Sequence, residues 1–185
     1  MSESTIHAPS MWTIRAAVAA DAEPVIRVHT ASWRSTYTGL IDGSILDDLE
    51  RRLDAQVVRR QRFLAQADIL NLVAVTAQDH VVGFLDAGPA GDDDRTFPAE
   101  LYGLYLLKGW QKQGIGTKLV AQAASTLFDS GYPAMKVWVL AQNPARAFYE
   151  RRGGELVGQA PLTLGSYTYT VVAYGWRDLR TLVRP

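Results

Sequence analysis

The chain contains no cysteine. Disulfides, thiolate metal sites and a cysteine nucleophile are therefore excluded. Histidine is scarce: His7, His29 and His80 are the only three. They are too scattered for a helix-borne metal motif, so no metal is expected. Neither sign of charge is in excess, with 19 basic and 19 acidic residues. That balance argues against bulk binding to nucleic acid, which usually leaves a basic surplus. No apolar run approaches the length of a membrane span. Met1 to Ser10 is polar and lacks the apolar core of a signal peptide. The expectation is a soluble, cytoplasmic protein without a membrane partner.

What is present suits one domain. The 185 residues are enough to bury a sizeable core. Residues 1–10 are expected as a disordered lead-in and 11–185 as the domain. Met11 to Ala16 reads as a strand. Asp21 offers an N-cap and Pro24 lies in the first turn of a helix running to Trp33 or Tyr37. Ile45 to Ala67 is a second helical region, with a start near Asp47-Asp48. Ile69 to Thr76 and His80 to Ala87 form a hairpin, and an acidic run at Asp92, Asp93 and Asp94 occupies the loop that follows. Glu100 to Leu107 is another strand. Gln113 to Ser130 is a helix with Ile115, Leu119, Ala123 and Leu127 on one stripe. Met135 to Leu140, Asn143 to Arg152, Glu155 to Ala160 and Tyr167 to Trp176 follow as strand, helix, strand and strand. This order predicts an α/β domain of the α+β type: a mixed, mostly antiparallel sheet of about six to seven strands with helices on both faces.

Gly114 and Gly116 sit where a strand hands over to a helix. Glycine lets backbone approach a ligand, and a helix start offers unpaired amides and a positive dipole end. Together they suit a phosphate or pyrophosphate. A P-loop is excluded, because Gly116-Thr117-Lys118 has the wrong order. A dinucleotide fingerprint lacks its third glycine, since Leu119 stands there.

Gln111 to Gly116 is similar to the coenzyme A turn of the GNAT acetyltransferases: Gln or Arg, two residues, Gly, one residue, Gly or Ala. Leu104-Tyr105-Leu106, just upstream, resembles the family's fourth strand. Asn143-Pro144-Ala145-Arg146-Ala147-Phe148-Tyr149 resembles its later motif. Ala31 to Tyr37 also looks like a subgroup of bacterial members. The resemblance runs from about Thr13 to Asp178, with Lys108 and Gly154 departing from the residues usual there. It implies the GNAT fold, with the fourth and fifth strands splayed apart. It also implies acetyl-CoA as co-substrate, and transfer of the acetyl group to an amine of a small molecule or peptide without a covalent enzyme intermediate. A coenzyme A-binding sensor that has kept the fold without the activity is the alternative.

The same resemblance names the site. Leu104, Leu106, Gln111, Lys112, Gln113, Gly114, Ile115, Gly116, Thr117, Asn143 and Ala147 would bind the donor, with the Leu106 amide facing the thioester oxygen. Tyr149 is the candidate acid, its phenol carrying a proton at neutral pH; its other reading is a ring that packs the short helix onto the sheet. Glu100 is the candidate base through a water. Strand alternation would set it on one face with Tyr102, Leu104 and Leu106; its other reading is a solvent-facing strand end. Asn143 contacts the pantetheine arm, caps its helix, or does both. Trp33, Tyr37, Asp86 and Tyr167, with Tyr169 nearby, are candidate walls of the acceptor pocket. Trp33 and Tyr37, four apart on a helix, equally suit core packing, and Asp86, alternating with Phe84, equally suits solvent. Family members are often dimers, and the aromatic residues near the C-terminus would suit a homodimer interface.

Overall fold

The computed structural model describes residues 11–91 and 94–183. The lead-in expected over 1–10, and Asp92 and Asp93 of the acidic run, lie outside the described residues. In chain order the elements are β1 (Trp12–Ala16), α1 (Ala22–Tyr37), α2 (Gly43–Arg51), α3 (Leu53–Leu64), β2 (Leu70–Thr76), β3 (Val81–Pro89) and β4 (Ala99–Leu106). Then follow α4 (Ile115–Asp129), β5 (Met135–Leu140), α5 (Arg146–Arg151), β6 (Glu155–Leu164), β7 (Tyr167–Trp176) and α6 (Arg180–Val183). The strands form one sheet in the order β1-β2-β3-β4-β5-β7-β6. Its only parallel pair is β4–β5, because α4 carries the chain back across the sheet between them. No helix among the described residues is long and apolar enough to cross a membrane.

The helices divide between the two faces. On one face the stripe of α4, Ile115, Leu119, Ala123 and Leu127, is buried against Leu72, Leu85, Leu101 and Met135. Burial of Ile115, Leu119 and Leu127 contributes about 1.5–3 kcal/mol each. On the other face Val25 and Val28 of α1 pack on Val73, Val75 and Phe84.

Three boundaries differ from expectation. Asp21 precedes α1 but does not cap it with its side chain. Its carboxylate instead takes both terminal nitrogens of Arg15, at 2.6 and 2.9 Å, and the Val18 amide at 2.7 Å. The second helical region is two helices broken at Arg52, and it starts earlier, where Asp42 Oδ1 accepts from the Ser44 amide at 3.0 Å. The β6–β7 hairpin is longer than expected and turns at Gly165, whose φ of 61° suits glycine.

The feature that positions the site is a gap. β4 and β5 pair only from Ala99↔Met135 to Leu101↔Val137. At that point β4 carries a bulge: Ala87 opposes Leu101 and Asp86 opposes Gly103, leaving Tyr102 without a partner on β3. A bulge bends its strand and sharpens its twist. Beyond it, Tyr102–Leu106 run beside β3 while Trp138–Leu140 run beside β7. The backbone edges facing the gap have no strand between them.

Candidate active site

A cleft of about 650 Å³ occupies this gap and reaches both faces of the sheet. Its walls come from the C-terminal part of α1, from β4, from the loop leading into α4, from β5 and from α5.

The loop end is built from left-handed backbone. Lys112 has φ 60° and Gly114, at the N-cap of α4, has φ 81°. A non-glycine residue there is uncommon and costs energy. Left-handed residues alternating with others turn successive amide hydrogens to one concave side, the pattern of an anion site. The first helical bond runs from Lys118 N to Gly114 O at 3.0 Å, so the amides of Ile115, Gly116 and Thr117 precede the ladder. Lys112, Arg151 and Arg152 bring positive charge to the lining. Gln113 braces the loop instead, its Nε2 donating to Gly109 O at 2.9 Å.

The β4 wall offers backbone. The Leu107 amide donates to Val82 O of β3 at 3.0 Å, so alternation turns the Leu106 amide and carbonyl to the gap. That carbonyl accepts from Ser32 Oγ at 3.1 Å and Gln111 Nε2 at 3.2 Å. Side chains from α1 and from the loop thus fix the end of β4 where no strand does.

Tyr149 reaches the cleft from α5. Its ring is buried beside Phe148, Tyr174 and Trp176. Burial raises its phenol well above the ordinary value, and nearby Tyr37 adds to the rise. The group therefore holds its proton at neutral pH. Asn143 is buried at the turn before α5. Its Oδ1 accepts from the Ala145 amide at 2.8 Å, and its Nδ2 donates to Tyr37 Oη at 3.2 Å. Burial raises the Tyr37 phenol as well.

Among the donor residues expected from sequence, Leu104, Leu106, Gln111 and Lys112 line the cleft. So do Gly114, Gly116, Thr117 and Asn143. Ile115 is buried in the core under α4, and Ala147 does not line the cleft. Ser32, Thr36, Tyr105, Arg151 and Arg152 also line it. Ser32 and Thr36 stand four apart on α1, one helical turn, a signal the sequence does carry.

Glu100 stands apart from the lining and requires a correction. The bulge breaks the alternation that grouped it with Leu104 and Leu106. Opposite partners on β3 place Glu100, Gly103 and Tyr105 on the α1 face, with Leu101, Leu104 and Leu106 on the α4 face. Glu100 lies beside Tyr102, which does line the cleft. Burial, and next the Glu100 charge, push the Tyr102 phenol up to about 12.

Asp86 corrects the expectation of a solvent-facing or acceptor-facing carboxylate. It is 5% exposed and does not line the cleft. Arg60 of α3 grips it with two bonds, Nη1–Oδ2 at 2.5 Å and Nη2–Oδ1 at 2.7 Å. The guanidinium also lies over Phe63 and Phe84. His29 is buried nearby, and burial followed by the Arg60 charge lowers its pKa to about 4. Trp33 does not line the cleft either; it packs between His29 and Tyr37 at 5.3 and 4.8 Å. Tyr167 is exposed on the β6–β7 hairpin beside the Asp42 carboxylate, which raises its phenol. Tyr169 accepts from the Asp42 amide at 2.9 Å and so ties the hairpin to the start of α2.

The profile described as the Acetyltransferase (GNAT) family matches residues 27–154. The chain belongs to the GNAT acetyltransferase family. The match spans α1 to the turn after α5 and so contains every wall of the cleft. The GNAT chain is 33% identical to the uncharacterized N-acetyltransferase YuaI of Bacillus subtilis (strain 168), over 93% of its own length and 96% of that protein. It is also similar to the crystal structure of PaiA N-acetyltransferase from Thermoplasma acidophilum in complex with coenzyme A. There the TM-score is 0.67 and the identity 25%, covering 89% of this chain and 99% of that one. The structure of YncA from Salmonella typhimurium with acetyl-CoA shares the fold at a TM-score of 0.59 and 20% identity, covering 92% and 95%.

Proposed function

We propose that this chain transfers the acetyl group of acetyl-CoA to a primary amine of a small molecule or peptide, by direct attack. The observation that carries the reading is the gap beside Tyr102–Leu106, opening onto the left-handed loop at the start of α4. An acyl-pantetheine arm fits a gap whose strand edges have backbone groups to share. A pyrophosphate fits the amides of Ile115 to Thr117, with Lys112 adding charge. Both relatives with coenzyme A or acetyl-CoA in their structures support the same donor.

The residues then have separate tasks. The Leu106 amide, turned to the gap, stabilises charge growing on the thioester oxygen. Asn143 and Gln111 hold the walls on either side of the donor. Glu100, on the α1 face, takes the ammonium proton of the acceptor through a water, which frees the amine to attack. Tyr149 gives a proton to the departing sulfur, and its burial keeps that proton in place beforehand. No covalent step on the protein is needed, in keeping with a chain that has no cysteine.

Release of free thiol from acetyl-CoA across a panel of primary amines and peptides tests the proposal. Release with at least one acceptor, whose product carries the acetyl group, supports it. Coenzyme A binding without release for any acceptor would turn the reading to a sensor.

A further inference from the structure

Four tyrosines line the cleft: Tyr102 donates to Pro89 O, Tyr105 is a hydrogen-bond partner of Tyr37, and the proposed reaction uses Tyr149. Tyr149 enters from α5 and Tyr37 from the last turn of α1. The Tyr37 ring is fixed edge-on against Trp33, at 4.8 Å and 67°. Its Oη accepts from Asn143 Nδ2 at 3.2 Å. The Asn143 amide is itself locked, because Oδ1 accepts from the Ala145 amide at 2.8 Å; a flipped amide would set two donors against each other. The Tyr37 oxygen is thus turned to Asn143 by a lone pair, and its single O–H is left to point elsewhere. Tyr105 is its other side-chain partner and, like Asn143, lowers the phenol as a donor does, so both bonds fill lone pairs and neither takes that proton. Burial keeps it on the oxygen, and Tyr37 is close enough to Tyr149 to raise that phenol too.

We infer that Tyr37 is a second hydrogen-bond donor to the sulfur of the acetyl donor, acting beside Tyr149. The inference rests on the transferase reading. Tyr149 passes its proton to sulfur as the C–S bond breaks and the electron pair moves to sulfur. It recovers a proton from the nitrogen that has formed the new C–N bond. Tyr37 keeps its own proton throughout and holds the charge on sulfur by a hydrogen bond. The two phenols differ in role: one transfers a proton and the other lowers the cost of the charge.

Coenzyme A itself is the probe. The chain has no cysteine, so the bound cofactor carries the only thiol in the sample. Its ionisation is read from thiolate ultraviolet absorbance against pH, as the difference from the same protein without coenzyme A. Tyr37→Phe is expected to raise the pKa of the bound thiol by about one unit. Turnover should fall roughly tenfold, with coenzyme A affinity and acceptor KM kept. Replacing Tyr37 by 3-fluorotyrosine, a stronger donor of nearly the same shape, should shift the thiol pKa the other way. This second replacement decides the matter if Tyr37→Phe does not fold. An unchanged thiol pKa in bound coenzyme A overturns the inference, as does a rise in acceptor KM alone, which would make Tyr37 only a wall. Failure of the unsubstituted protein to bind coenzyme A would instead refute the transferase reading itself.

Discussion

Arg60→Met isolates the buried ion pair and gives the sharpest energetic expectation. Arg60 and Asp86 are 7% and 5% exposed, joined by two short bonds. Removing the guanidinium leaves a carboxylate without a counter-charge between α3 and β3. Breaking a buried pair from one side costs about 3–5 kcal/mol, most of it the stranded charge. Arg60 also loses its stacking on Phe63 and Phe84, though the methionine recovers part of that contact. The urea midpoint should therefore fall by more than about 1 M at an unchanged slope. The double variant Arg60→Met/Asp86→Leu removes both charges and should lie within about 1 kcal/mol of the unsubstituted protein. Acetyl transfer and acceptor KM should survive in it, because Asp86 does not line the cleft. Two results refute the reasoning. One is a single variant that loses less than about 1 kcal/mol, far below a buried pair. The other is a stable double variant with a raised acceptor KM, which would return Asp86 to the acceptor pocket.

Further expectations concern the loop, the acid and base, and pH. Gly114→Ala forces a side chain into φ 81° at about 1–2 kcal/mol and should weaken coenzyme A binding roughly tenfold by calorimetry. Gly116→Ala sets its Cβ in ordinary contact with Leu106 and Phe148, at 3.5–3.6 Å, and should leave the melting temperature at or above its starting value. Tyr149→Phe should lower kcat by about 10² or more with coenzyme A affinity kept; full activity under rate-limiting chemistry would remove Tyr149 from its role. Glu100→Gln should abolish the acid limb of the kcat–pH profile, and a retained limb would reject the base. His29 has its folded pKa lowered to about 4 from 6.5. Between those values the unfolded chain binds more protons, so stability is lost as pH falls through that window, by about 3 kcal/mol at most. Denaturant titrations of His29→Phe against the parent should show that arm disappear.

The site was legible in sequence wherever it is local. Gln111 to Gly116 and Asn143 to Tyr149 each carry their geometry in consecutive residues, and helix and strand order follows from periodicity. What could not be read depends on distant partners. The face of Glu100 turns on a bulge at Tyr102, which exists only in the register of β4 against β3. Asp86 lost its functional reading to Arg60, 26 residues earlier, and nothing local in the sequence joins the two. Ser32 and Gln111 meet on the Leu106 carbonyl, a contact between residues far apart in the chain. The Tyr37–Asn143 bond joins residues 106 apart, so neither motif announces the other.

The claim on which the rest depends is that acetyl-CoA lies across the β4–β5 gap with its pyrophosphate at the start of α4. Amide hydrogen exchange with and without saturating coenzyme A reads this directly. Slowed exchange is expected in two stretches, 102–106 and 111–117, with β1 and the distal β6–β7 hairpin unchanged. Tight binding that leaves both stretches exchanging as before would contradict it.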